Sequence, residues 1–325
     1  MHLTQGLHRS LQRFSEKTAL IHVGVAEERK YVFREVVEKV SKISAWLQNN
    51  QIQKGDRVAV LSPNNDYLIL VILACWWHGA VCCPLNMRWS RHEIEQALQD
   101  AEPALLVYDR SLESVAQEAV HARATALFDL QTLIAQADAL TGVDDQRCSP
   151  ETLACILFTG GTTGRAKGVM LRHDNLWSAC MARAAELNSH CDTVSLMVAP
   201  LFHVAGLGRL VGQLIIGGCC VTMEQFRPVD VQAAIYQYQI NDTIFVPTML
   251  QAMLDAPTFN AAQVASLQRI GFGAAPMPPE LLERALATWP QAEFFQAYGM
   301  TETAGAACIN LPHNHRDPQA RARGL

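Results

Sequence analysis

The sequence predicts an α/β fold built from mainly parallel sheet, and three observations carry that reading. Short apolar or β-branched runs stop abruptly at small or polar residues, helical stretches alternate with them, and half of the 325 residues are hydrophobic against 18% charged. Continuous apolar runs of this length suit strands covered on both faces, and strands alternating with helices suit parallel pairing. The composition supplies a large core, and the length allows one large domain or two ordinary ones.

Residues 57–61 follow the turn Lys54-Gly55-Asp56 and stop at Ser62-Pro63-Asn64-Asn65. Residues 67–77 form the most hydrophobic run, closed by His78 and Gly79. It is too short to span a bilayer and reads as a buried helix, with Trp76 and Trp77 as core or lobe-interface packing. Ser90 with Glu93 fits a capping box ahead of the apolar stripe Ile94, Ala97 and Leu98. Further strand-like runs cover 104–108, 153–158, 194–199, 243–246, 269–273 and 293–296, the last ending in a loop at Ala297-Tyr298-Gly299. Pro278 and Pro279 open a helix over 280–286. A polar, turn-rich stretch at 137–152 predicts a boundary between lobes 1–150 and 151–310. Residues 311–325 have no apolar period and read as a tail, with His313 and His315 solvated, so that the chain looks cut short. Ligands of such folds collect beyond the carboxyl ends of the strands, so the loops there are where chemistry is expected.

Composition narrows the function classes. With 26 Lys and Arg against 31 Asp and Glu, the net charge of −5 argues against a nucleic-acid scaffold held by phosphate contacts. Ten cysteines form no C-x-x-C pair and mostly lie in apolar runs, which predicts reduced, buried thiols in a cytoplasmic protein and leaves a zinc site open but poorly supported. The first residues lack the apolar region of a signal peptide, and no integral membrane segment is expected.

The strongest chemical signal is the run from Phe158 through Thr159-Gly160-Gly161-Thr162-Thr163-Gly164-Arg165-Ala166-Lys167-Gly168. Glycines let backbone N–H groups face an anion, three threonines add hydroxyl donors, and Lys167 adds charge, a set suited to a polyphosphate. It is not a Walker A loop, which needs Gly before and Ser or Thr after the lysine, and it is not G-x-G-x-x-G. The hydroxyl that would hold magnesium beside Lys167 is absent, so the metal needs another ligand. The plain alternative is a flexible strand-to-helix turn with a solvated helix-start lysine.

These residues resemble the phosphate loop of the acyl-adenylate-forming enzymes, which include acyl-CoA synthetases, firefly-type luciferases and peptide-synthetase adenylation domains. The usual loop has Ser or Thr second and Pro before the lysine. Gly160 and Ala166 stand there instead, losing one hydroxyl and loosening the loop but keeping the lysine. Gln296-Ala297-Tyr298-Gly299-Met300-Thr301-Glu302 matches the family's Q-x-Y-G-x-T-E motif. The resemblance implies that Tyr298 lies near adenine, Thr301 contacts the phosphates and Glu302 helps hold magnesium. Gly273-Ala274-Ala275-Pro276 resembles the adenine-contacting segment, and Pro200-Leu201-Phe202-His203 the segment bordering the carboxylate pocket. Tyr298 as core and His203 as a satisfied core histidine are the plain alternatives. Lys54-Gly55-Asp56-Arg57-Val58 and Pro84-Leu85-Asn86 resemble first-lobe structural segments.

The resemblance covers most of the family's large N-terminal domain, two packed lobes of mainly parallel sheet flanked by helices. It implies an ATP-dependent carboxylate–CoA ligase, closest to those acting on fatty or aryl carboxylates, with ATP and magnesium as cofactors and coenzyme A as co-substrate. Lys167, Thr301, Glu302 and His203 would be the catalytic set. The family's later Y-x-x-G-D segment, hinge and small mobile domain do not appear before Leu325, which implies a fragment. A non-catalytic nucleotide- or acyl-binding module of the same fold stays open. A Rossmann dehydrogenase lacks its glycine fingerprint here.

Overall fold

The computed structural model describes residues 1–24, 27–120, 125–160, 165–317 and 319–320. In chain order, helix α1 (Gln5–Phe14) leads to strands β1 (Thr18–Val23) and β2 (Glu28–Val32), then α2 (Phe33–Asn49), β3 (Arg57–Leu61), α3 (Asp66–His78) and β4 (Val81–Pro84). There follow α4 (Arg91–Ala101), β5 (Leu105–Tyr108), α5 (Glu113–Val120), β6 (Ala126–Asp129) and α6 (Leu130–Asp138). The hairpin β7 (Leu153–Thr159) and β8 (Lys167–Arg172) precedes α7 (His173–Glu186), β9 (Val194–Met197), α8 (Val204–Ile216), β10 (Cys219–Met223), α9 (Pro228–Tyr238) and β11 (Asp242–Phe245). The chain continues through α10 (Pro247–Leu254), β12 (Arg269–Gly273), α11 (Pro279–Thr288), β13 (Glu293–Met300), β14 (Gly305–Asn310) and α12 (Pro312–Arg316).

The described residues form two sheets, one ordered β14-β13-β12-β11-β9-β10-β1-β2 and the other β6-β5-β3-β4-β7-β8. Pairing is parallel inside both, and the antiparallel pairs β1–β2, β13–β14 and β7–β8 lie at edges. The sheets do not divide the chain near residue 150. β7 and β8 complete the six-stranded sheet, the first hairpin crosses to the eight-stranded one, and the change of sheet follows Arg172. The polar stretch at 137–152 is a surface connection rather than a seam, because Cys155 of β7 pairs with Cys82 of β4.

Alternation along the strands separates five layers. Val58 and Val60 of β3 and Cys220 of β10 face a shared central core with α2, α3, α7 and α8. Ala59 and Leu61 face α4 and α5, whereas Val221 and Met223 face α9 and α11. Helix α3 is buried almost throughout, as a helix apolar on every side must be, and Trp76 and Trp77 donate to the Ala154 and Val143 carbonyls at 3.0 and 2.8 Å. No helix among the described residues is long and apolar enough to cross a membrane. The expected capping box is present, with Ser90 accepting from the Glu93 N–H. Eight of the ten cysteines are buried and all ten are free thiols, and burial pushes Cys83 and Cys219 up to about 12.

Two local expectations need correction. The 293–296 strand does not end at Ala297, because β13 runs on to Met300 by pairing with β14. Residues 312–316 are helical rather than tail, and His315 is fully buried with its ring 5.3 Å from that of Phe272; His313 is exposed, as expected. The short turn packs against β13 and the Phe272 ring.

A buried ionic contact fixes β2 to the start of α3. Arg29 donates to both Asp66 carboxylate oxygens at 2.8 and 2.6 Å, and the Tyr31 hydroxyl donates at 2.6 Å. Burial alone would raise the Asp66 pKa, but the hydrogen bonds from Arg29 and Tyr31 outweigh it and hold the carboxyl below its ordinary value. This contribution is therefore present above the unfolded carboxylate pKa and lost as pH falls through the lowered one. Asp66→Ala is expected to cost roughly 3 kcal/mol in urea unfolding at pH 7, and the difference from wild type should shrink in acid.

Candidate active site

The site forms where the two antiparallel edge hairpins meet. The glycine-threonine run is not a strand-to-helix turn: it closes the β7–β8 hairpin, with Thr159 opposite Lys167. Gly161, Thr162, Thr163 and Gly164 lie outside the described residues. Gly160 is exposed, and an added Cβ there meets no atom of the described residues. Lys167 is the first residue of β8 and exposed, and Arg165 anchors the end of the loop to Asp100 of α4. β8 lies against the turn Thr301–Thr303, which brings the lysine's strand beside Thr301 and Glu302 from the other sheet.

That turn is fixed by a residue the sequence reading passed over. Thr303 Oγ1 accepts from the Met300 N–H at 3.1 Å, and its hydroxyl lies 2.9 and 2.7 Å from the Met300 and Gly305 carbonyls. Ala304 then takes a left-handed φ of 56°, reversing the chain into β14. The signal was a threonine between an acidic residue and a reversal, which reads as a local hydroxyl cap only once the reversal is seen. Glu302 projects from this turn with its side chain exposed.

The remaining motif residues line two adjoining clefts. One, of about 460 Å³, is bounded by Phe272, Gly273-Ala274-Ala275-Pro276 and Gln296-Ala297-Tyr298-Gly299. Tyr298 is 67% exposed, so its ring stands in this cleft and is not core. Gly299 must be glycine, because a Cβ would lie 1.9 Å from the Gly305 carbonyl oxygen across a bulged strand pair. Ala274 holds a left-handed φ of 63° at the end of β12, a strained conformation of the kind found at ligand clamps.

The other cleft, of about 450 Å³, has mainly apolar walls that include Val204, Phe245, Met249 and Phe295. The two share Gly273, Ala274, Ala297 and Gly299, so they open along one wall, and Thr301 lines the apolar one. His203 stands at the N-cap position of α8, at the mouth of this cleft, exposed, with its ring 4.6 Å from that of Phe202; it is not a core histidine. The protein packed around it, and then the Arg88 charge, lower its pKa below the ordinary 6.5, so the ring is neutral at pH 7. Three arginines that the sequence did not single out, Arg88, Arg183 and Arg209, also reach this cleft. Arg209 is fully enclosed, bonded to Ser195 at 2.7 Å and paired with Asp242; burial and then the Arg183 charge lower it to about 9, still charged at pH 7.

Among the described residues no three His, Cys, Asp or Glu side chains cluster as a metal site. A magnesium ion bound through one carboxylate and substrate phosphates needs no such cluster, and the exposed Glu302 carboxylate, on the turn that lies against β8, fits that mode.

Residues 7–324 match the family model described as AMP-binding enzyme. Feruloyl-CoA synthase of an Amycolatopsis species is 33% identical over 307 residues, covering 91% of this chain and 59% of the relative. The 2-succinylbenzoate–CoA ligase of Bacillus cereus is 29% identical, covering 87% and 56%. The chain thus spans less than two thirds of the length of these curated relatives. Among solved structures, the o-succinylbenzoate CoA synthetase of Bacillus subtilis in complex with its acyl-adenylate intermediate superposes with a TM-score of 0.84 at 27% identity, covering 95% of this chain and 61% of that one. The N-terminal domain of FACL13 from Mycobacterium tuberculosis has the same fold, with a TM-score of 0.89 at 24% identity and coverage of 96% and 79%.

Proposed function

Because the chain belongs to the AMP-binding enzyme family, we propose that it carries the adenylate-forming site of an ATP-dependent carboxylate–CoA ligase. The observation that carries this reading is the meeting of the Lys167 hairpin and the Thr301–Glu302 turn beside two clefts that share a wall. One cleft suits a nucleotide base and the other an apolar acid, so a carboxylate and an α-phosphate meet between them.

In the first step a carboxylate oxygen attacks the α-phosphorus of ATP. The acyl–O–P bond forms, the bond to the β-phosphate breaks, and pyrophosphate leaves with the electron pair. Both reactants are anionic, so alignment and charge neutralisation are what the protein must supply. Lys167 and the loop amides hold the β- and γ-phosphates, Thr301 orients the α-phosphate, and Tyr298 with Ala274 and Ala275 flanks the adenine. His203 and Arg88 border the reacting carboxylate. Glu302 would hold magnesium, which would supply charge neutralisation as the pyrophosphate leaves. In the second step the CoA thiolate attacks the acyl carbon and AMP leaves. No protein nucleophile is required.

The test is exchange of labelled pyrophosphate into ATP across a panel of fatty and aromatic acids. Exchange that depends on one of the acids is the expected result. Nucleotide binding without acid-dependent exchange would favour a non-catalytic binding module of the same fold.

A further inference from the structure

The acid cleft holds more positive charge than the chemistry at its mouth requires. Its lining includes three guanidinium groups and, among the described residues, no carboxylate. Arg88 lies beside His203 at the mouth, and Arg209 is matched by Asp242. Arg183 is different. It reaches the cleft from α7, half-buried, and its Nη2 donates to the Gly208 carbonyl at 2.9 Å. No ion pair joins it to any described residue. A guanidinium has five N–H donors, so most of its fork is left for another acceptor.

Helix α8 is shaped around this side chain. A Cβ at Gly212 would lie 2.3 Å from Arg183 Nη2, and one at Gly208 would lie 3.9 Å from its Nη1. Glycine inside a helix costs about 1 kcal/mol relative to alanine, and here it gives the guanidinium its berth. Gly208 is five residues along α8 from His203, about 7.5 Å at the helical rise. An acid whose reacting carboxylate sits at His203 and whose far end meets Arg183 needs a spacer of at least that length, such as an aromatic ring carried on a short chain.

We propose that the acid taken by this site bears a second carboxylate at its far end, which Arg183 binds through the N–H groups not used on Gly208. This rests on the ligase reading above. Apolar walls between two cationic ends select a dicarboxylic acid with an aromatic or short aliphatic spacer over a plain hydrocarbon acid, since a buried carboxylate needs a fixed cationic partner.

The test is calorimetric titration of the chain with two non-hydrolysable acyl-adenylate mimics, sulfamoyl-linked 4-phenylbutyryl-adenosine and its 4-(4-carboxyphenyl)butyryl counterpart. They differ only in the distal carboxylate. Wild type is expected to bind the carboxylated mimic about tenfold tighter or more, the worth of a charge-assisted hydrogen bond. Arg183→Met and Gly212→Ala should bring that ratio near one, the second by displacing the guanidinium without removing it, and Arg183→Lys should keep part of it. A residue that only ties α7 to α8 would change stability and leave the ratio alone. Equal affinities in wild type, or a preference that survives Arg183→Met and Gly212→Ala, overturn this inference while leaving the ligase reading intact. Failure of both mimics to bind overturns the ligase reading and this inference with it.

Discussion

Lys167→Ala is expected to weaken magnesium-ATP binding by ten- to a hundredfold without changing the melting temperature. A charged donor to a phosphate oxygen contributes about 1.5–3 kcal/mol, which converts to that range. The fold should be indifferent, because Lys167 is exposed at the first position of an edge strand and meets Thr159 through its own backbone atoms, its carbonyl accepting from the Thr159 hydroxyl at 3.5 Å. Calorimetric titration measures the affinity, and equal values for wild type and variant would remove Lys167 from the phosphate site.

Glu302→Gln is expected to slow single-turnover adenylate formation by about a hundredfold, in the range found when one group stabilising developing charge is removed. Acid affinity should stay within about twofold, because the carboxylate acts on charge that develops at the leaving pyrophosphate and not on the bound acid. The magnesium concentration for half-maximal rate should rise. The substitution keeps the shape of the side chain, and Thr303, not Glu302, holds the turn. An unchanged rate at saturating magnesium would contradict the role.

The pattern of legibility in the sequence follows from what is local. Strands buried on both faces announce themselves as uninterrupted apolar runs, so β3, β5, β7 and β12 lie close to where the residues place them. The capping box at Ser90 and the proline-led start of α11 depend on neighbours within a turn and were equally readable. What resisted was everything set by distant partners. The extension of β13 to Met300 needs β14 beside it. The first hairpin joins the eight-stranded sheet through β10, nearly two hundred residues later, which no composition shift near 150 reveals. His315 reads as solvated until α12 is seen folded onto Phe272.

The site divides in the same way. The residues proposed to bind phosphate cluster in sequence, as they must if one loop is to wrap one ligand, so Thr159, Gly160, Lys167 and the 296–302 segment are visible as motifs. The acid cleft is assembled from α7, α8, β11, β13 and β14, each contributing a few residues far from the others in sequence. Arg183 and Arg209 carry no local signature. Their partners, the Gly208 carbonyl and Asp242, become neighbours only through helix and sheet packing.

The central claim is that acid and nucleotide occupy two clefts joined along Gly273, Ala274, Ala297 and Gly299. The most direct test is the affinity of the chain for the sulfamoyl-linked 4-phenylbutyryl-adenosine mimic against its affinity for AMP. If the clefts are continuous, one molecule fills both at once, and the mimic should bind at least about a hundredfold tighter than AMP, as linked ligands do when the linker fits the span. A mimic that binds no better than AMP would mean that the acid cleft does not open onto the nucleotide, and would contradict the account.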